Sequence, residues 1–322
     1  MALAPIIFPL FGDASGLPLG TATFYEAGTV TPKNVYTDSA GGTAHTNPVT
    51  FDANGWAQIW GSGNYKILIK TAAGVTIDTV DNYNPASFSG SGSNAFAYPS
   101  TNTATAGDSV SLGGDGNTAT AADAGTFCGR VNEATGQRSV VLGGFVNIAS
   151  GTDCAVLSGL TNTASGDYSV AHGRGAVASH YAEHAHASGP FSATGDAQGS
   201  FFTLRKQTTT STPAGLFLDG SSLLLTIPVD TTWGFDIMVV ARRTDANDES
   251  AFYRFEGCID NNAGTTALVG SVVAATPIED TSAWACAVTA DNTNDALIIT
   301  ATGENAKTIN WVARVHIVQV TG

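Results

Sequence analysis

The chain has 322 residues and a mass of 32.8 kDa, enough for about two domains with cores of their own. Only 12% of the residues are charged and 37 are glycine, while 43% are hydrophobic, which disfavours both a helical protein and a disordered one. The formal net charge is −14 and no Lys/Arg cluster occurs, so a nucleic-acid partner is excluded on composition. We predict an all-β protein of short strands joined by Gly and Asn turns.

The N-terminal run MALAPIIFPLFGD has no basic segment, and Pro5 and Pro9 interrupt its apolar residues. No stretch elsewhere approaches the 18 apolar residues of a membrane-spanning helix, so we expect neither a signal peptide nor a membrane span. The cysteines are widely spaced and show no zinc-binding pattern, which predicts free thiols in a reducing cytoplasm. They are Cys128, Cys154, Cys258 and Cys286.

Strand-like runs alternate with turn signals from residue 8 to about residue 85. The clearest run is YKILIK (65–70), in which apolar or aromatic residues alternate with others at the period of a strand. We predict a small antiparallel β domain over residues 1–85. Residues 86–106 have no apolar periodicity and are predicted to be a linker.

The N-terminal domain also carries a family pattern. Its runs FYEAGTVTPKNVYTD, NPVTFDANGWAQIW and YKILIKTAAGVTIDTVDNY follow one another in the order seen in the virion-attachment domains of bacteriophage tailspikes and tail fibres. The resemblance spans residues 8–85. It implies that this domain docks on a tail, portal or adaptor protein of a phage particle.

A fifteen-residue repeat occupies the predicted shaft, residues 107–186. Asparagine, glycine, alanine and a large apolar residue each recur at this step. The asparagines are Asn117, Asn132, Asn147 and Asn162, and the apolar set is Leu112, Phe127, Leu142 and Leu157. A period this short predicts one coil of a β-roll, with two short strands and two turns whose positive-φ positions are taken by Asn and Gly. A single coil cannot bury its Leu and Val, so the coils must stack on each other and on other chains.

The repeats SVVLGGFVNIASG and SVAHGRGAVAS resemble units of trimeric autotransporter adhesin heads, which are left-handed β-rolls around a three-fold axis. The resemblance implies a homotrimeric shaft. It does not specify a function, because stacked rolls serve as scaffolds in adhesins and in phage fibres alike.

Residues 187–322 contain nine short strand-like runs about ten residues apart, separated by polar turns. This pattern predicts a β-sandwich, jelly-roll-like if the sheets are Greek keys. The segments SFFTLRKQTTTSTPAGLFLDG and TINWVARVHIVQV are similar to C-terminal domains of phage tail proteins, which implies a tip that contacts the host.

Four of the six histidines, His172, His180, His184 and His186, lie within one short segment. In the sequence His184-Ala185-His186 both imidazoles project from the same face of a strand. Three chains around an axis would offer six such ligands, the number that an octahedral transition metal takes. Phage fibres that this chain resembles hold metal on their axis in this way. Alternatively, the histidines cap the roll and make turn hydrogen bonds. No other cofactor is expected.

Acidic turns at Asp245, Asp248 and Glu249 and at Asp291 and Asp295 lack the spacing of a dedicated calcium loop, so local turn hydrogen bonds are the favoured interpretation. No nucleophile motif, zinc-protease motif or phosphate-binding loop occurs. We therefore expect no catalytic residues and no enzymatic activity, although paired carboxylates brought together by folding would leave no mark in the sequence.

Taken together, these patterns predict a structural and host receptor-binding protein of a phage tail, a short homotrimeric fibre or spike. It would be assembled in the host cytoplasm and would lie in the virion, with a bacterial surface glycan or protein as its partner. The alternatives are a glycan-cleaving tailspike depolymerase and a purely structural collar or head fibre. A bacterial adhesin is disfavoured because a signal peptide is not evident.

Overall fold

The computed structural model describes residues 3–6, 20–53, 55–83, 85, 96–98, 101–246 and 248–322. Over these residues the fold is all-β, which confirms the predicted class, and no helix there is long and apolar enough to cross a membrane. The chain forms two compact units, residues 1–90 with 97–100 and residues 91–96 with 101–322. Much of the predicted linker, 86–95 and 99–100, lies outside the described residues. The predicted domain boundaries stay predictions.

The N-terminal unit is built on an antiparallel sheet of order β3-β2-β5-β6, with a separate pair of β1 and β4. Its strands are β1 (Ala4–Pro5), β2 (Thr21–Glu26), β3 (Val49–Thr50), β4 (Trp60–Gly61), β5 (Tyr65–Lys70) and β6 (Thr76–Tyr83). The alternation in YKILIK reflects burial, because Tyr65, Ile67 and Ile69 are each 1% exposed and pack with Phe24. The antiparallel β domain is therefore present as predicted.

Polar side chains in this unit are tied to the backbone. The Tyr65 hydroxyl donates to the Asn34 carbonyl at 3.1 Å and accepts from the Ser62 amide at 3.0 Å. The Asn47 side chain accepts from the Phe24 amide at 3.0 Å and donates to the Phe24 carbonyl at 2.7 Å. These bonds fix two turns against β2 and β5 without leaving the buried groups unpaired.

A short strand, β7 (Phe96–Tyr98), precedes the roll, and each coil of the roll then contributes two strands. These are β8 (Thr103–Ala104), β9 (Val110–Leu112), β10 (Thr118–Ala119), β11 (Gly125–Thr126), β12 (Glu133–Ala134), β13 (Val140–Val141), β14 (Ile148–Ala149), β15 (Ala155–Leu160), β16 (Thr163–Ala164), β17 (Val170–Arg174), β18 (Val177–Ala178) and β19 (His184–Ala187). The even-numbered strands β8–β18 form one parallel ladder, and the odd-numbered strands β9–β19 form another. Thr118 pairs with Glu133, one sequence repeat away, so the fifteen-residue period is one turn of a parallel solenoid.

The interior of the roll is narrow and lined by small side chains. One ladder contributes a buried alanine per coil, and the other contributes a small or β-branched residue opposite it. The first set is Ala104, Ala119, Ala134, Ala149, Ala164 and Ala178, and the second is Ser111, Thr126, Val141, Val156, Ala171 and Ala185. Two ladders this close leave no room inside for the larger Leu and Phe side chains of the repeat.

The repeat asparagines do not take the positive-φ positions, and this part of the prediction is wrong. Positive φ falls on the residue before each of them, for example Val131 (54°) and Val146 (55°). Asn117, Asn132, Asn147 and Asn162 are fully buried. The side-chain oxygen of Asn132 accepts from the backbone amide of Asn147 at 3.1 Å, and the Nδ2 of Asn132 donates to the backbone carbonyl of Cys128 at 2.9 Å. The asparagines therefore form a hydrogen-bonded ladder along the roll, which satisfies turn carbonyls that the solenoid buries.

The C-terminal part continues directly from the roll. Its strands are β20 (Ala197–Thr208), β21 (Ala214–Gly215), β22 (Leu225–Thr226), β23 (Thr231–Arg243), β24 (Ser250–Asn262), β25 (Thr265–Leu268), β26 (Val273–Ala274), β27 (Ile278–Glu279), β28 (Ala285–Asp291), β29 (Ala296–Thr302) and β30 (Ile309–Thr321). β24, β23, β30 and β20 are neighbours in an antiparallel sheet, and β21, β29, β22 and β28 form a second one. Strand β20 pairs with β19, so the first sheet and the odd-numbered ladder of the roll are one long sheet.

Side chains from both C-terminal sheets share one hydrophobic core. Trp233 and Trp311 on the long sheet are fully buried, in a cluster that includes Leu225 and Ile299 of the other sheet. The Trp233 indole donates to the Gln319 side chain at 2.8 Å and the Trp311 indole to the Thr208 hydroxyl at 2.9 Å. These indoles are structural and do not face solvent. The jelly-roll connection remains a prediction.

Candidate functional site

The outward side of the odd-numbered ladder, here called the outer face, carries the large apolar residues of the repeat. Leu142 is 47% exposed, Leu157 42% and Phe127 40%. Since Val141 and Val156 of the same strands point inward, strand alternation forces their neighbours outward. Of the Leu and Val residues that a coil was expected to leave uncovered, Leu142 and Leu157 are exposed, whereas Val141 and Val156 are buried inside the roll.

The outward side of the even-numbered ladder has the opposite chemistry. Its exposed positions in successive coils are Thr105, Thr120, Thr135, Ser150 and Ser165. Short hydroxyl side chains suit contact with water, whereas exposed Leu and Phe in a row do not. These two sides of the roll therefore differ in chemistry, with exposed Leu and Phe on the outer face and hydroxyl groups on the other.

The outer face extends across the end of the roll onto the C-terminal sheet. In register, His184 pairs with Phe201, Phe201 with His316, His316 with Asp236, and Asp236 with Glu256. Exposed apolar side chains continue beside this row, including Val318, Val320, Val312 and Val240. A single side of one sheet thus carries an apolar roll surface, then histidines, then a charged row.

Three of the four predicted histidines meet on the outer face. The ring centroids of His172 and His186 are 4.7 Å apart, and those of His172 and His184 are 5.1 Å apart. His172 Nδ1 and His184 Nε2 are buried without a hydrogen-bond partner. Burial, with the neighbouring His186 and His184 rings, lowers the pKa of His172, and burial followed by His186 lowers that of His184. Such rings are neutral near pH 7, the form in which imidazole donates to a metal.

His180, the fourth histidine of the segment, lies elsewhere. It belongs to a turn, and its ring contacts Phe202 and Trp233 in the core of the C-terminal part. Among the described residues, no group of three His, Cys, Asp or Glu side chains within a chain is placed to hold a metal ion. A site on His184 and His186 therefore needs ligands from more than one chain.

A charged depression that the sequence did not reveal lies farther along the outer face. Asp236, Glu256, His316 and Val318 line it around Gly234, with a volume of about 370 Å³. Arg254 bridges the two carboxylates, at 3.0 Å from Asp236 and 2.9 Å from Glu256. Only strand register brings these residues together, since they come from three strands, β23, β24 and β30. No local motif marks them.

The carboxylates of the acidic turns bond to neighbouring groups of the same chain, as the favoured interpretation predicts. Asp245 pairs with Arg243 at 3.0 Å, and Glu249 pairs with Lys307 at 2.6 Å. Asp291 accepts from the Thr293 amide at 2.9 Å within its own turn. Asp295 accepts from the Thr266 hydroxyl at 2.7 Å, so these carboxylates are matched by cations, by backbone amides or by a hydroxyl.

No protein-family model matches the chain, and no curated protein matches it. Among solved structures it is similar to the tailspike protein of Acinetobacter phage vB_ApiP_P1, at 9% identity and a TM-score of 0.25, over 67% of this chain and 54% of that one. Acinetobacter baumannii phage AM24 tailspike matches at 8% identity and a TM-score of 0.25, over 67% and 52%. The chain spans about half the length of these proteins.

A third similar structure corrects one expectation. Tailspike gp49 of Acinetobacter baumannii bacteriophage Fri1, described as a capsular polysaccharide depolymerase, matches at 9% identity and a TM-score of 0.22, over 67% of this chain and 46% of that one. The prediction that the chain is not an enzyme is overturned by this match to a glycan-cleaving protein. That prediction rested on missing local motifs, and carboxylates that meet through long-range strand pairing, as Asp236 and Glu256 do, leave no such motif.

Proposed function

We propose that the chain is the protomer of a homotrimeric short spike or fibre of a phage tail, which holds its C-terminal domain toward a bacterial surface glycan. The family pattern of residues 8–85 supports attachment of the N-terminal domain to a tail, portal or adaptor protein. The spike or fibre is assembled in the host cytoplasm and lies in the mature virion.

The observation that carries the proposal is the one-sided distribution of apolar side chains along the roll. A row of Leu and Phe that is 40–47% exposed at each member calls for a covering partner. Further copies of the same chain satisfy this need coil by coil, because their repeats share the period and the same small interior. A closed three-fold ring covers the outer face of every copy and leaves the hydroxyl side in water.

Charge favours recognition at short range. Three chains carry 3 × −14 = −42 formal charges, which opposes attraction to an anionic envelope beyond a Debye length of about 8 Å. Binding then rests on hydrogen bonds and apolar contacts of the C-terminal domain, repeated three times so that a weak single site becomes avid.

The test uses the purified full chain and a shortened chain of residues 101–322, the continuous part of the second compact unit. Both should bind host cells and compete with phage adsorption, while residues 1–90 should do neither but should block virion assembly. Host binding by residues 1–90 alone would reverse the assignment. Release of reducing ends from purified host polysaccharide in the same experiment would add cleavage to binding.

We also propose that His184 and His186 supply transition-metal ligands where several chains meet. The unpartnered buried nitrogens of His172 and His184 support this, since such groups are costly unless a partner is supplied. Untagged protein should contain roughly one iron, nickel or zinc per three chains. The metal should disappear in the double variant His184→Ala/His186→Ala and remain in His45→Ala, whose ring lies in the N-terminal unit. Metal-free wild-type protein would contradict the proposal.

A further inference from the structure

His180 joins the last turn of the roll to the C-terminal domain. It lies between β18 and β19, and its ring is inserted against Phe202 of β20 and Trp233 of β23. Its side chain is only 13% exposed. The ring therefore reaches out of one structural region into the core of another.

Both ring nitrogens of His180 face acceptors. Nδ1 lies 3.0 Å from a carboxylate oxygen of Glu183, and Nε2 lies 2.8 Å from the backbone carbonyl oxygen of Thr226. A carboxylate and a carbonyl can only accept, while a neutral imidazole carries a single N–H. Both bonds exist together only when the ring is doubly protonated. The Thr226 hydroxyl, at 3.3 Å from Nε2, is the more distant contact.

The surroundings favour this charge state. Glu183 also accepts from the Ser179 and His180 amides at 2.8 and 3.0 Å and from the Ser200 hydroxyl at 2.6 Å. All of these are donors, as suits an ionised carboxylate. Burial by itself lowers the pKa of His180, but the hydrogen bond and charge of Glu183 and the bond to Thr226 outweigh it, so the pKa is raised.

His180 and Glu183 line a cavity of about 240 Å³. Among the described residues, the only other charged group that lines this cavity is Asp196. Its carboxylate accepts the amides of Phe191, Ser192 and Ala193, and these bonds lower its pKa. It therefore stays negative and adds to the attraction for a cation. The strands packed against His180 contribute only neutral groups, Phe202 and Ser200 from β20 and Trp233 from β23.

We propose that His180 is a pH-dependent clamp: as an imidazolium it fastens the turn before β19 to the segment at Thr226, and its deprotonation as the pH rises releases one of the two bonds. A group with a raised pKa in the folded state contributes all of its stabilisation below its ordinary pKa of about 6.5. That contribution is lost as the pH rises through the folded-state pKa. The attachment of the roll to the C-terminal domain is thus firmest below about pH 6.5 and loosens as the pH rises through the folded-state pKa of His180.

The primary test follows ring protonation in the intact wild-type chain by NMR, with histidine labelled at Cε1 and the ring nitrogens, and the His180 signal assigned by its loss in His180→Gln. At pH 6.5 both nitrogens of His180 should be protonated, with titration above 6.5, while His45, which meets a single carbonyl, serves as the internal comparison. A neutral His180 ring at pH 6.5 would overturn the proposal, whether or not any variant folds.

The second test measures hydrogen exchange of peptides 175–183 and 224–229 between pH 6 and pH 9, after correction for intrinsic rates. In wild-type protein, exchange there should rise by up to about tenfold per pH unit between pH 6.5 and the folded-state pKa of His180 and should level off above it, relative to peptides in β23. Glu183→Gln keeps the shape of the partner without its charge, so its exchange should be fast already near neutral pH. His45→Gln should behave as wild type. Equal pH dependence in Glu183→Gln and wild-type protein would refute the clamp.

Discussion

In the coils of the roll, glycine allows close backbone contact between successive turns, and asparagine supplies a side-chain amide beside that contact. Gly129, Gly144 and Gly159 lie where successive turns touch, and a Cβ on any of them would overlap a carbonyl oxygen of the next coil. Each also has positive φ, from 90° to 118°. The asparagine three residues later then occupies the space beside that contact with its side-chain amide.

Gly144→Ala should prevent close stacking of its coil. The new methyl group meets the backbone of Gly159 and the Nδ2 of Asn147, neither of which can move away in a solenoid. We expect a loss of roughly 3–5 kcal/mol in the free energy of unfolding, visible as a reduced midpoint in denaturant.

Gly116→Ala is the matched control for this change. Gly116 has φ of 66°, but the nearest atom to an added Cβ is Val131 Cγ2 at 3.8 Å. It should lose only about 1–2 kcal/mol, the cost of a left-handed residue. Equal losses in the two variants would mean that φ, and not coil contact, dictates the glycine.

Periodicity in the sequence identified these residues but not what their side chains do. A recurrent Asn is compatible with a positive-φ turn position and also with a buried hydrogen-bonded ladder. Both roles give the same fifteen-residue spacing, so the sequence does not distinguish them. The histidines illustrate the same limit: His172, His184 and His186 lie on strand positions facing outward, whereas His180 lies in a turn and points into the core.

At the scale of elements, the unit of the roll is the full coil, because parallel pairing repeats every fifteen residues from Thr103↔Thr118 to Ile148↔Thr163. Each coil repeats the same three features at equivalent positions: an asparagine of the ladder, an inner alanine and a glycine contact. The last pairing, Thr163 with Val177, is one residue shorter and closes the regular part.

Deletion of residues 132–146 should therefore remove one coil and leave the rest in register. Asn147 would then follow Val131, and the ladder would connect Asn117 to Asn147 as it now connects Asn117 to Asn132. We expect a folded protein whose thermal midpoint falls by only a few degrees, measured by circular dichroism.

Deletion of residues 132–143, three residues fewer, is the comparison. It places Ala149 and the coils after it three residues out of register with Ala119 and the coils before it, so we expect insoluble or largely unfolded protein. If both deletions fold equally well, the fifteen-residue register does not determine the stacking.

Local alternation predicted single strands better than it predicted their partners. YKILIK is buried at every second residue as its pattern indicates, and β23 and β30 alternate likewise over thirteen residues. The pairing of β20 with β30 links segments more than a hundred residues apart, and nothing local encodes the order of β20, β30, β23 and β24. The depression at Asp236 and Glu256 was invisible for this reason.

For the whole molecule, the outer face predicts assembly, and Leu142→Asp tests it. Light scattering of the wild-type chain should give 3 × 32.8 = 98.4 kDa. A carboxylate at a position that trimerisation covers is costly to desolvate, so Leu142→Asp should shift the protein toward 32.8 kDa at micromolar concentration.

Thr135→Asp places the same charge on the hydroxyl side of the roll, where the side chain is exposed. It should leave the mass at that of the trimer. A monodisperse wild-type monomer would contradict the assembly, and equal dissociation of the two variants would contradict its assignment to the outer face.

The pairing of β19 with β20 makes the C-terminal domain a direct continuation of one sheet of the roll. Neighbouring strands in a sheet are rotated relative to one another, so each coil added to the roll also turns whatever is attached to its end. Reach and azimuth are therefore coupled: a variant with one more or one fewer coil would present its C-terminal domain at a different angle as well as at a different distance.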